Sequence, residues 1–114
     1  MEMTLRTRLV GESVVVDVRG QIDVSSTERL RTTLVDLVND VDCRLVVNLD
    51  ETEFIDSTGL GVLVGVLKRV RARDGSLALV CGNDDLLRVF EMTGLTKVFA
   101  IHASVADATS SASH

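Results

Sequence analysis

The chemistry of this chain is concentrated in Asn48-Leu49-Asp50-Glu51-Thr52-Glu53-Phe54-Ile55-Asp56-Ser57-Thr58-Gly59-Leu60-Gly61. The stretch holds four acids (Asp50, Glu51, Glu53 and Asp56), two adjacent hydroxyls (Ser57 and Thr58) and no basic residue. A serine hydroxyl in such a place can be a nucleophile, a phosphoacceptor or a helix cap. A nucleophile needs an activating base within reach. No His lies nearby, and Ser57 stands in I-D-S-T-G rather than G-x-S-x-G. An enzyme with Ser57 as nucleophile is therefore the weaker reading. Gly59, Gly61 and Gly65 form G-x-G-x-x-x-G. This is neither the dinucleotide fingerprint nor a phosphate-binding G-x-x-x-x-G-K-[ST] loop. An acid-rich loop would also repel a polyphosphate. Asp, Ser and Thr are preferred at helix N-termini, so on local pattern alone capping is the simpler account of Asp56-Ser57-Thr58.

The elements that position these residues follow from periodicity. Residues 3–10 and 14–19 alternate about Gly11-Glu12-Ser13, with Met3, Leu5 and Leu9 on one face and Val14, Val16 and Val18 on one face. They read as a β-hairpin. Leu30, Leu34, Leu37, Val38 and Val41 form a helical stripe. It predicts a helix over about 26–39, opened by a Ser25-x-x-Glu28 capping box. Residues 44–49 read as a short strand, and Asp50 onward as a loop in which Phe54-Ile55 tucks inward. Leu60, Leu63, Leu67 and Val70, widened by Val62 and Val66, predict a largely buried helix over 57–73. Its Gly61 and Gly65 are expected to meet a packed surface. Residues 76–81 form a strand, and Asn83 caps a third helix whose Leu86, Leu87 and Phe90 face inward. Gly94 stops that helix. A short edge strand over 97–101 and a last helical turn over 104–108 complete the chain. Strand–helix–strand units favour parallel pairing through right-handed crossovers. The expected fold is thus a small α/β domain with a mixed four- to five-stranded sheet and packed helices, over residues 1–108. A disordered tail is expected over 109–114.

Composition bounds the function. The chain has 114 residues and a net charge of −5. One domain of this length can bury a real core without staples. With no Trp or Tyr and three Phe, Val and Leu must fill that core. A net-acidic chain without a tight basic cluster is a poor nucleic-acid binder. No apolar run reaches the roughly 18 residues of a membrane span, and the alternating N-terminus does not read as a signal peptide. A cytoplasmic protein that binds neither nucleic acid nor membrane is expected. Two Cys without a CxxC and two scattered His, His102 and His114, give no metal framework, and no cofactor is implied.

Asp56-Ser57-Thr58-Gly59-Leu60-Gly61 after a Val/Leu strand resembles the signature of STAS-domain anti-sigma factor antagonists. Gly20-Gln21-Ile22-Asp23 resembles the family's G-x-[IL]-D turn. Thr93-Gly94-Leu95-Thr96-Lys97-Val98-Phe99 resembles its G-L-x-x-x-[FL] segment. The likeness spans about residues 3–108. It implies that an anti-sigma factor which is also a serine kinase phosphorylates Ser57. It implies that the unmodified form binds that partner and the phosphorylated form does not, and that a serine phosphatase reverses the change. It implies a non-catalytic protein whose partner surface includes Asp23, Asp56, Ser57, Thr58, Gly59 and Leu60. Thr58 places a second hydroxyl beside the first, which leaves the acceptor between the two open. A non-catalytic scaffold or ligand-sensing module of the same fold in a stress-signalling complex is the alternative.

Asp23, beside Ser25 and Ser26, has turn chemistry as its simplest account. The run Lys68-Arg69-Val70-Arg71-Ala72-Arg73 places cations at a helix C-terminus, where they complement the dipole. Cys43 and Cys81 fall at opposite ends of adjacent strands, roughly 20 Å apart at about 3.3 Å per residue. A disulfide needs Cα atoms within about 7 Å, so no intramolecular bridge is expected.

Overall fold

A computed structural model describes residues 2–39 and 43–111. The hairpin is β1 (Thr4–Val10) and β2 (Ser13–Ile22), followed by α1 (Thr27–Val38), β3 (Arg44–Ile55), α2 (Ser57–Ala72) and β4 (Ser76–Val80). Then come α3 (Asp84–Met92), a 3-10 turn at Leu95–Lys97, β5 (Ala100–His102) and α4 (Val105–Ser111). The strands lie in chain order, β1-β2-β3-β4-β5. Only β1 and β2 are antiparallel; the other neighbours run parallel. The small α/β domain with a mixed five-stranded sheet agrees with the sequence-based expectation.

Three successive crossovers in one direction carry α1, α2 and α3 to the same face of the sheet. Val16, Val18, Leu45, Val47 and Leu79 meet Leu30, Leu34, Leu63, Val66 and Phe90 there in one core. Fully burying such a side chain is worth roughly 1.5–3 kcal/mol each. On the other face α4 covers a smaller cluster, in which Ala108 is buried against Val15, Val46 and Val80, with Val10, Ala78 and Val105 packed around them. The helical stripes fall as the periodicity predicts, with Leu60, Leu63, Leu67 and Val70 buried, and so do Met3, Val16 and Val18 of the hairpin. Val41 lies outside the described residues.

Several boundaries and faces differ from expectation. The segment read as a loop is strand through Ile55, because β2 extends to Ile22 and offers it a hydrogen-bonding partner. It reads as polar because α4 does not reach this part of the outer face. Two register shifts accompany the extension. One follows Gly20, whose φ of +99° suits glycine. Thr52 is buried here and its hydroxyl donates to the Val18 carbonyl at 2.9 Å. Leu9 is 76% exposed on the edge strand. Gly61 and Gly65 are exposed rather than packed. The helix expected to end at 108 continues to Ser111, so only the last three residues of the expected tail lie outside the described residues.

Candidate functional site

The carboxyl ends of β2 and β3 lie side by side. Ile22 pairs with Ile55, and the Asp56 amide donates to the Ile22 carbonyl at 3.1 Å. The residues that follow, Asp23 and Asp56, therefore emerge together at the sheet edge where ligands of α/β proteins usually sit. Sequence separation hides this closeness; parallel pairing creates it.

Asp56 is the N-cap of α2. Its Oδ1 accepts from the Thr58 and Gly59 amides at 3.0 and 3.1 Å, and from the Thr58 hydroxyl at 2.5 Å. The Thr58 hydroxyl, then the Gly59 amide, hold the Asp56 carboxyl below the usual carboxylate range. Capping thus explains Asp56 and Thr58. It does not explain Ser57. That side chain is exposed and hydrogen-bonds to no described residue, at the first position of the helix. Of the two adjacent hydroxyls, one is engaged and one is uncommitted.

Asp23 arranges its own turn. Its Oδ1 accepts from the Ser25 hydroxyl at 2.6 Å and the Ser25 amide at 3.0 Å. The Ser25 hydroxyl is the main reason its carboxyl lies below the usual range, while the negative charge of nearby Asp56 opposes that shift. The expected Ser25–Glu28 capping box is not formed, because Ser25 is bound to Asp23. Ser26 is the N-cap by position, without a side-chain cap bond, and its Oγ instead accepts from the Asp23 amide at 3.0 Å. Glu28 pairs with Arg31 on the helix surface.

The four acids of the central stretch separate by role. Asp50 accepts from the Gly82 amide at 2.7 Å, replacing a ladder bond where β4 has ended. Glu51 lies 3.8 Å from Arg19. Glu53 is exposed on β3 beside Asp50, Glu51 and Asn83, which leaves Asp56 of the four at the helix start, joined by Asp23. Gly59 and Leu60, expected on the partner surface, turn into the core instead. A Cβ on Gly59 would come within 2.6 Å of Ile22 Cγ2 and 2.8 Å of Ile55 Cγ1. Their part is to seat the helix so that Ser57 is held outward.

Two apolar residues here were not anticipated. Val24 is 75% exposed, and its amide faces the Asp56 carboxylate. Phe54, expected to tuck inward with Ile55, is 48% exposed. The register shift between Gly20 and Gln21 pairs Phe54 with Gln21 and leaves it on the uncovered face. An apolar Val inside the polar turn D-V-S-S was the sequence signal for the first; nothing local signalled the second.

Cys43 and Cys81 are both buried thiols at opposite ends of the sheet, and neither is in a disulfide. His102 pairs with Val80 in β5 and is half-buried; His114 lies outside the described residues. No helix among the described residues is long and apolar enough to cross a membrane.

The model of the STAS domain matches residues 4–108. The chain belongs to the STAS domain family. This STAS domain is 42% identical over 89 residues to the anti-sigma-B factor antagonist of Bacillus subtilis, covering 77% of this chain and 80% of that protein. An anti-sigma factor antagonist from Mycobacterium paratuberculosis superposes with a TM-score of 0.91 at 26% identity, over 99% of this chain and 96% of that one. The Bacillus cell fate determinant SpoIIAA in its phosphorylated form shares the fold with a TM-score of 0.72 at 23% identity, over 94% and 97% of the two chains.

Proposed function

We propose that this STAS domain is a cytoplasmic, non-catalytic anti-sigma factor antagonist. In its unphosphorylated form it binds an anti-sigma factor that is also a serine kinase, and so releases a sigma factor for transcription. Phosphorylation of Ser57 by that partner ends binding, and a serine phosphatase restores it.

One observation carries this reading: Ser57 is exposed and uncommitted at the start of α2, while the neighbouring Thr58 hydroxyl is held by Asp56. The names of the relatives supply the partner class. The electrostatics supply the switch. A phosphoryl group adds about −1.5 to −2 charge at pH 7. A helix N-terminus tolerates that charge, so the domain keeps its shape. The same charge falls beside Asp56 and near Asp23. A partner surface fitted to a neutral hydroxyl then meets desolvation and like-charge penalties. About 1.4 kcal/mol is a tenfold loss of affinity, so one phosphate suffices without refolding.

Titration calorimetry against the purified anti-sigma factor tests the reading. Wild type and Ser57→Ala should bind alike, and Ser57→Asp should bind much more weakly with an unchanged melting temperature. Equal binding by Ser57→Asp and wild type would count against the switch.

A further inference from the structure

Two glycines of α2 have no reason within this fold to be glycine. Gly61 and Gly65 lie inside the helix, are exposed, and would place a Cβ more than 4 Å from any neighbouring side chain or element. Glycine weakens a helix interior relative to alanine, so bare backbone is kept here at a cost with no internal return. Gly59 differs, since its Cβ would strike Ile22.

Both glycines line a groove of about 270 Å³ between α1 and α2, with Val35 and Val62 as its apolar lining. Along α2 the groove runs from Thr58 to Arg69, roughly 16 Å or three helical turns at about 1.5 Å per residue. Arg31 flanks it from α1 and Arg69 from α2. Arg69 forms no salt bridge among the described residues, and Arg31 has only an exposed contact with Glu28 at 3.3 Å.

We propose that this groove seats an acidic helix of the anti-sigma factor. The inference rests on the reading of Ser57 above and adds the docking element. Small residues let a partner backbone approach closely, and the apolar lining gives it a surface to bury. Arg31 and Arg69 select acidic side chains. The groove starts one residue from Ser57, so a partner gripping it is registered on the phosphoacceptor. The interface then has two ends of opposite sign, cationic along the groove and anionic around Asp23 and Asp56, which fixes the orientation of docking. A second copy of this chain is disfavoured as occupant, because its own groove face would bring arginine against arginine.

The test compares full-length Gly65→Leu, Arg69→Glu and Arg69→Lys with wild type and Ser57→Asp, by calorimetry against the purified anti-sigma factor and by thermal melting. Gly65→Leu should melt no lower than wild type yet lose at least about tenfold in affinity. Arg69→Glu should lose a similar factor, and Arg69→Lys should keep most of the binding. Wild-type affinity in Gly65→Leu and Arg69→Glu, with Ser57→Asp impaired, would overturn the groove and leave the phosphoacceptor standing. Impaired groove variants with a fully binding Ser57→Asp would support the groove and sink the switch. A wild type that binds no anti-sigma factor would overturn both. Groove variants that shift only the chain's own dimerisation would make a second copy the occupant and overturn the proposal.

Discussion

Asp23 and Asp56 build the same turn on neighbouring strands. Each follows an isoleucine of a paired register, Ile22 or Ile55. Each Oδ1 accepts from the amide two residues on at 3.0 Å and from that residue's hydroxyl, at 2.6 Å for Ser25 and 2.5 Å for Thr58. The residue between aspartate and hydroxyl is Val24 in one turn and Ser57 in the other. Only the second turn therefore carries an uncommitted hydroxyl at its tip, and the first offers an exposed apolar side chain in the equivalent place.

The shared geometry predicts an acid-sensitive cap. Both carboxyls lie below their ordinary values, Asp56 chiefly through the Thr58 hydroxyl and Asp23 chiefly through the Ser25 hydroxyl. A depressed folded-state value stabilises the fold fully above the unfolded value near about 3.9. That stabilisation is lost as pH falls through the folded value. Asp56→Ala should therefore melt several degrees lower at neutral pH, with the gap narrowing in acid, while Asp56→Asn should fall between the two, because Asn also caps but brings no charge. Melting curves at several pH values decide the matter. A gap that persists unchanged in acid would show that the carboxylate charge is not what caps α2.

Neighbouring glycines of α2 should respond in opposite senses. Gly59→Ala forces a methyl against Ile22 Cγ2 at 2.6 Å, and overpacking of this kind costs about 1–3 kcal/mol. Gly61→Ala meets nothing and should stabilise by about 0.5–1 kcal/mol. Urea denaturation of the two variants separates them. Equal effects would mean that α2 sits differently against β2 and β3.

Much of the fold was legible in the sequence because it rests on periodicity. The stripe Leu60-Leu63-Leu67-Val70 and the Val14-Val16-Val18 face needed no tertiary information. What failed was decided by partners distant in sequence. Asp50 to Ile55 are polar enough to read as loop, yet β2 supplies a ladder for them. Ser25 and Glu28 have capping-box spacing, yet Asp23 claims Ser25 first. Gly61 looked like a packing glycine, and only the position of α1 shows that its side of the helix is open. At the site, Asp56, Ser57 and Thr58 were recognisable by type and order. Which hydroxyl was engaged depended on a rotamer of Asp56 that no spacing reveals.

The thiols should be slow to react and should not pair. Burial pushes the Cys81 thiol up, with the charges of Asp50 and Asp84 adding to the rise against the Asn83 backbone contact. At pH 8 its thiolate fraction and its access to reagent are both reduced. Alkylation by iodoacetamide in the folded protein should be many-fold slower than after denaturation. A Cys43–Cys81 linked peptide after mild oxidation would contradict the placement of these residues at opposite ends of the sheet.

The most direct measurement is kinase-dependent phosphate incorporation into wild type, Ser57→Ala and Thr58→Ala, using the cognate anti-sigma factor and intact-mass detection. One phosphate should enter wild type and Thr58→Ala, and none should enter Ser57→Ala. Full labelling of Ser57→Ala would move the acceptor away from the exposed hydroxyl, and an unlabelled wild type would contradict the phosphorylation switch altogether.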